Sequence, residues 1–379
     1  MNINPENIKY EYDSEGKIKK VYYPECDFFM WNYEAQTKMK HLIFEDYFDK
    51  FVKILGKYHK LNYIDGFGGC GAYYEQISNK LYYGSPVLAG KCIKYKNPKK
   101  TVQIVVIDKH IENIENLQKV FSYNKLSSLK PIYIHGDFDT EINKILDKYR
   151  LTPTFFLIDP FGFSIKFSTL KRIMQTPKSE IFFNFMYNSI QRFLRYEKVE
   201  EKMFDLFGCD KFKEIEHSEH REEDIIHLFV EQLKTIAKFA FPYRIQFPDK
   251  DMTYYYMIHL SNHILGISIM KHSYAKFNEG KVEYYGANKI KTLPLFQTEE
   301  FLNSDIDNYM LECFSGKAMT VNDILEGLID TTEYLDTDII KSIKRLKEAK
   351  KILYTPIPAK TPTGRIKKKI DTTDIVKFP

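Results

Sequence analysis

Apolar residues in this chain gather into short runs separated by amphipathic stretches, and four of the runs end at an aspartate. Leu61 to Asp65 is a short apolar strand; Thr101 to Asp108 is almost continuously apolar, as a strand buried on both faces should be. Pro131 to His135 leads into Gly136-Asp137-Phe138, and Thr154 to Ile158 into Asp159-Pro160-Phe161-Gly162. Between them the spacing predicts helices from Pro86 to about Tyr95, with Ser85 as cap, from Ile111 to Phe121, and near Glu141 to Tyr149. Strands alternating with helices describe a doubly wound, Rossmann-like α/β sheet with carboxylates along its carboxyl edge, where such sheets bind ligands.

The pattern extends both ways. Residues 1 to 25 read as a short hairpin or ordered arm, and Met39, Leu42, Ile43, Tyr47, Phe48, Phe51 and Ile54 mark one or two amphipathic helices between Trp31 and Tyr58. Glu180 to Phe185 continues the strands, Ser189 to Ala240 reads as a charged helical insertion, Thr253 to Leu260 as a late strand, and Ile264 to Ala275 as the helix after it. From Phe301 three helices (Ser304 to Phe314, Thr320 to Leu328, Thr337 to Ala349) precede two strands, Lys351 to Pro356 and Arg365 to Asp371, the layout of a winged helix. The expected division is 1–60 as arm and helices packed on the core, 61–295 as the α/β domain with its insertion at about 189–245, and 296–379 as the winged helix.

Composition narrows the class. No run of about 18 apolar residues exists and the N-terminus is polar, so neither a membrane span nor a secretory signal is expected, and the cytoplasm is the default. Five scattered cysteines without a C-x-x-C pair read as reduced thiols, and no metal site is expected; His259 and His263 fall on a strand and the turn after it. An excess of 56 basic over 51 acidic residues permits a nucleic-acid partner without demanding one. Candidate contacts are Arg192 and Arg195 in the insertion and Lys360, Arg365, Lys367, Lys368 and Lys369 on the wing; a solvated charged face is the alternative.

The candidate chemistry sits at the strand ends. Four glycines in the six residues Gly66 to Gly71 follow Asp65 directly, letting the backbone turn sharply beside a ligand, and no Gly-Lys-Ser/Thr follows to make a phosphate loop. Asp65, Gly66, Phe67, Gly69 and Gly71 are therefore candidates for holding a nucleoside cofactor. Asp108 is placed to accept from two ribose hydroxyls, or else is a carboxylate at a helix start. Asp137 and Phe138 could bond and stack on an adenine. In Asp159-Pro160-Phe161, proline would stiffen the turn so that carboxylate and ring grip an amine-bearing base, against the alternative of a plain Asp-Pro turn. Cys70 has no base beside it and reads as a small filler of the loop.

In the order and spacing of these motifs (Asp65-Gly-Phe-Gly-Gly-Cys-Gly71, Gly84-Ser85-Pro86, Asp108, Asp159-Pro-Phe-Gly162, Thr253-Tyr-Tyr-Tyr-Met, His263 and Met270) the chain resembles the three-Cys-motif partner (TcmP) family over roughly residues 30 to 275. The resemblance implies a class I methyltransferase fold using S-adenosylmethionine, and the family name suggests a partner protein encoded alongside. The Asp-Pro-Phe-Gly element is also similar to that of tRNA guanosine dimethyltransferases and to the Asp/Asn-Pro-Pro-Tyr/Phe element of base amino-methyltransferases. Here Phe161 stands in the second proline's place, and Gly68 where alanine is more usual. The expectation is methylation of a nitrogen on a nucleic-acid base, with Asp159 as the acceptor. The competing expectation is an inactive cofactor- or nucleotide-sensing module with a nucleic-acid-binding winged helix, and a protein substrate is a third.

Overall fold

The computed structural model describes residues 3–96, 98–194, 196–246, 252–277, 282–283, 299–358 and 369–379. Contacts divide the chain into Met1–Glu283 and Tyr284–Pro379. The first unit opens with β1 (Lys9–Tyr12), β2 (Ile18–Tyr22), β3 (Phe29–Asn32) and α1 (Ala35–Leu55). Next come β4 (Leu61–Asp65), β5 (Ala72–Glu75), β6 (Lys80–Tyr83), α2 (Ser85–Lys96), β7 (Val102–Asp108), α3 (Ile111–Tyr123), β8 (Ile132–His135), α4 (Phe138–Lys148) and β9 (Thr154–Ile158). It finishes with α5 (Phe167–Met174), β10 (Glu180–Phe185), α6 (Tyr187–Phe193), α7 (Glu200–Phe207), α8 (Arg221–Lys234), β11 (Phe239–Gln246), β12 (Thr253–Ser261), α9 (Ile264–Lys276) and β13 (Val282–Glu283).

Eight strands form one mixed α/β sheet in the order β13-β11-β12-β10-β9-β4-β7-β8. The five from β10 to β8 run parallel, and every residue of β9 and β10 is buried, which is why those runs are apolar without alternation. β12 is antiparallel to both β10 and β11. From β4 the chain winds out to β7 and β8, then returns to β9 and β10 on β4's other side. The strand order therefore reverses between β4 and β9, and a crevice opens at their carboxyl ends.

One stripe of α1 covers this sheet with aromatic rings. Phe44 and Phe48 pack on Tyr63 of β4, with centroids 5.5 and 5.0 Å apart, and Phe51 packs on Phe155 of β9 at 5.4 Å. Each ring removes a large apolar area from water, so α1 is held by tertiary packing more than by its own helix propensity. The helix expected from Trp31 begins only at Ala35. Residues 29–32 instead pair with β2 and, in parallel, with β5, in a second sheet ordered β1-β2-β3-β5-β6.

The helical reading of the insertion to Ala240 is also corrected, because β11 pairs with β12 along its length. Pro242, which argues against a central strand, lies outside the stretch of β11 that β13 pairs with among the described residues, Arg244 and Ile245.

In the second unit α10 (Glu299–Cys313), β14 (Ala318–Thr320), α11 (Val321–Leu328), α12 (Asp336–Glu348), β15 (Leu353–Thr355) and β16 (Ile375–Lys377) follow one another, with sheet order β14-β16-β15. Thr320 and Asp323 form a capping box on α11. Most of the expected strand Arg365 to Asp371 lies outside the described residues, and the last described strand is β16. Buried Asp374 accepts from the Tyr354 hydroxyl and from the backbone N–H groups of Ile357 and Asp371, so pairing with β15 starts after it. Lys369 is exposed; Lys360, Arg365, Lys367 and Lys368 lie outside the described residues. No described helix is long and apolar enough to cross a membrane.

Candidate functional site

The glycine loop straddles the crevice. The Gly66 N–H donates to Leu157 O of β9 at 2.9 Å and the Gly68 N–H to Ile107 O of β7 at 3.1 Å, tying the loop to both neighbours of β4. Gly69 and Gly71 have φ of +60° and +81°, a region that side chains disfavour. The glycines were expected to make room for a ligand, yet three of them make room for the protein. A Cβ would lie 2.6 Å from the Phe138 ring at Gly66, 2.1 Å from Val106 Cγ1 at Gly68 and 2.3 Å from Leu117 Cδ1 at Gly71. At Gly69 a Cβ would lie 3.1 Å from the edge of the Trp31 ring, the least crowded of the four. Buried Cys70 donates to Ala72 O, and burial pushes its thiol up to about 12, so it is inert filler. Asn116 bonds both Phe29 and Cys70 O, fastening the second sheet to the loop.

Asp65 is fully buried and accepts from the Tyr63 hydroxyl (2.6 Å), the Ser85 hydroxyl (2.7 Å) and the Phe67 N–H (3.2 Å). Ser85 thus serves this carboxylate, where a helix cap had been expected. Burial outweighs these donors and raises the carboxyl to about 6. Between about pH 4 and pH 6 the unfolded chain releases a proton that the folded protein keeps, so this contribution is full below pH 4 and is lost as pH rises past 6. Without ligand, the fall should be on the order of 3 kcal/mol. Denaturant unfolding against pH should show it in the wild type and not in Asp65→Asn; parallel curves would contradict it.

Asp108, at the tip of β7, reaches the loop: Oδ2 accepts from the Gly69 N–H at 2.9 Å, and Oδ1 from the His110 N–H (2.8 Å) and Asn113 Nδ2 (3.1 Å). Both oxygens are already engaged, so a ribose hydroxyl would have to share them. Asp108→Asn turns one acceptor into a donor facing Gly69, and cofactor affinity should fall by about 1 to 3 kcal/mol; unchanged affinity by calorimetry would leave this acid a loop brace alone. Asp137 is exposed and caps α4 through Thr140 N. Phe138 is buried against Gly66, with Phe67 5.5 Å away between centroids, which corrects the expectation of an open stacking face.

Asp159 sits across the crevice from Asp65. Its carboxylate is ion-paired with Lys40 of α1, and Asn184 Nδ2 of β10 donates to Oδ1 at 2.5 Å. The Asn184 carbonyl oxygen is buried without a partner; turning the amide over would set that oxygen against the carboxylate, so the orientation is determined. Pro160 is buried and Phe161 is 76% exposed, meeting Trp31 edge-on at 6.4 Å. His41, next to Lys40, is bonded to the Tyr33 hydroxyl and pushed down to about 3 by burial, so it stays neutral. A groove of about 540 Å³ adjoins the site between α4 and the turn after β9, lined by Asp137, Asp139, Asn143, Lys144, Phe163 and Lys166 and by none of the glycines. Arg192 is exposed on α6; Arg195 lies outside the described residues.

Lys40, Asn184, Ser85, Tyr63 and Trp31 were not anticipated. Two left a trace in the sequence: Lys40 occupies the buried stripe of α1 with Phe44, Tyr47 and Phe51, and Asn184 interrupts a run of apolar residues. Among the described residues no group of His, Cys, Asp and Glu could hold a metal ion. The donor set suits a nucleoside carrying a charged amino-acid arm. Asp65 and Asp108 place carboxylates, both bonded within the protein, at adjacent strand tips, and the Gly69 backbone lies between Asp108 and Trp31.

No family model matches the chain, and no curated protein matches it. Among solved structures it is similar to a protein from Legionella pneumophila (12% identity, covering 66% of this chain and 95% of that one, TM-score 0.42). It is also similar to a SAM-dependent methyltransferase from Agrobacterium tumefaciens (10%, 68% and 77%, 0.36) and a putative rRNA-methylase from Clostridium thermocellum (13%, 56% and 95%, 0.30). What defines the fold is the chain's own strand order: a mixed α/β sheet, parallel at its centre, with its candidate site at the reversal between β4 and β9.

Proposed function

We propose that this protein is an S-adenosylmethionine-dependent methyltransferase acting on a nitrogen of a nucleic-acid base. The observation that carries the reading is the meeting of Asp65, Asp108 and Asp159 at the tips of three adjacent parallel strands around the reversal point, two of them bonded to the glycine loop. The antiparallel strand β12, set between β10 and β11, also suits a class I methyltransferase sheet.

When bound, the cofactor supplies an electrophilic methyl group on sulfur. Asp65, Asp108 and the Gly69 backbone would hold it, with Asp137 available to its base. For the substrate, Asp159 would accept an N–H hydrogen bond while Lys40 and Asn184 keep its carboxylate oriented. Phe161 would cover the base. In this reading the second unit is a winged helix that brings the polymer through Lys369 and the basic residues before it.

One observation favours a sensing module instead: both oxygens of Asp159 are already satisfied by the protein's own cations and amides. Incubation with methyl-labelled S-adenosylmethionine and separate RNA, DNA and protein fractions tests the two. Label in RNA or DNA supports the enzyme; label in protein moves the substrate; cofactor binding without transfer selects the sensor.

A further inference from the structure

Beyond Phe161 an exposed aromatic ledge continues along the mouth of the site. Phe163, two residues on in the same turn, packs on Phe193 of α6 at 5.7 Å between centroids, and Phe193 packs on Tyr196 at 5.6 Å. Tyr196 is 58% exposed and Phe193 39%. Aromatic rings left in water beside a candidate active site mark a binding surface more often than scattered apolar residues do.

Charge on the ledge indicates what it takes. Exposed Arg192 and Lys198 flank the rings. The nearby carboxylates of Asp205 and Glu200 are paired, with Lys166 at 3.1 Å and with Lys213. Cations interleaved with accessible ring faces suit a chain that carries both phosphates and flat bases. A duplex hides its base faces in the stack, whereas an unpaired strand offers them one after another.

We propose that a single-stranded nucleic acid lies along the ledge, its bases stacking on Tyr196 and Phe193 and its phosphates meeting Arg192 and Lys198, so that one base is delivered to Phe161 and Asp159. This rests on the nucleic-acid reading above and narrows it to unpaired strands or loops.

The test uses the full-length protein and fluorescein-labelled oligo(U), oligo(dT) and a duplex, each of about 12 nucleotides per strand, a length matched to known single-strand sites. Anisotropy should show the single strands binding at least about tenfold tighter than the duplex. Phe193→Ala with Tyr196→Ala should weaken single-strand binding by about tenfold or more, within the range for losing a stacked base. That variant should leave duplex binding unchanged, and Tyr196→Phe should retain affinity. The ratio of oligo(U) to oligo(dT) affinity distinguishes RNA from DNA. Equal binding of duplex and single strands, no binding, or an undiminished double variant with native circular dichroism would overturn the ledge. So would equal competition by poly-glutamate, which has charge without bases. S-adenosylmethionine titration of the same preparation separates the two claims. Strand binding without cofactor binding removes the methyltransferase reading and leaves the ledge, and the reverse outcome removes only the ledge.

Discussion

Asp65→Ala should lower S-adenosylmethionine affinity by about a hundredfold or more, beyond detection in an ordinary calorimetric titration. The carboxylate is the only acidic group on β4, it lies buried at the strand tip beside the crevice, and a charge-assisted hydrogen bond to a cationic amino-acid arm is stronger than a neutral one. A hundredfold corresponds to about 2.7 kcal/mol. The alanine also leaves the buried Tyr63 and Ser85 hydroxyls without their acceptor, at a cost of about 1 to 3 kcal/mol each if they find no other. Asp65→Asn is the companion variant, since its carbonyl oxygen can still accept from the two hydroxyls while the charge is lost and the other oxygen, the acceptor for the Phe67 N–H, becomes a donor. Both should lose the cofactor, with alanine the less stable on denaturation. Wild-type affinity in the asparagine variant would show that the carboxylate is a structural brace and that the cofactor assignment is mistaken.

Asp159→Ala should separate binding from chemistry. Cofactor affinity should stay within about threefold, while methyl transfer falls by about 100- to 1000-fold, the range for losing one preorganised transition-state contact. Removing the carboxylate also strands the buried Lys40 ammonium, and breaking a largely buried pair from one side costs about 3 to 5 kcal/mol. The double variant Asp159→Ala, Lys40→Met removes both charges and should regain stability without regaining transfer. Recovery of transfer along with stability would mean that Asp159 matters only to folding; unaltered transfer in the single variant would exclude it from the reaction.

The site was unevenly legible beforehand. Asp65, Asp108 and Asp159 could be placed because each ends an apolar run, and parallel strands bring their carboxyl ends to one edge. Phe138 was misjudged because Gly66, adjacent only in space, lets that ring pack down into the fold. Trp31 was read as helical although its environment is set by pairing with Tyr73, forty-two positions further along the chain. β11 was missed for a similar reason: its proline and mixed polarity argue against a strand, and only its long pairing with β12 overrides them.

By itself the sequence determined the α/β alternation, the tips of the central strands and the glycine positions, because these follow from periodicity and from backbone angles local to a few residues. It also marked the helix from Thr320 to Leu328, for the same local reason, and the structure adds the Thr320 and Asp323 capping box at its start. Only the tertiary structure decided what the carboxylates do. Asp65 is shifted to about 6 by burial that many distant residues create, Asp108 is turned onto Gly69, and Asp159 is held between Lys40 and Asn184. Those partners lie far along the chain and are brought together by packing, and the strength of a buried charge interaction depends on that packing and on no local pattern.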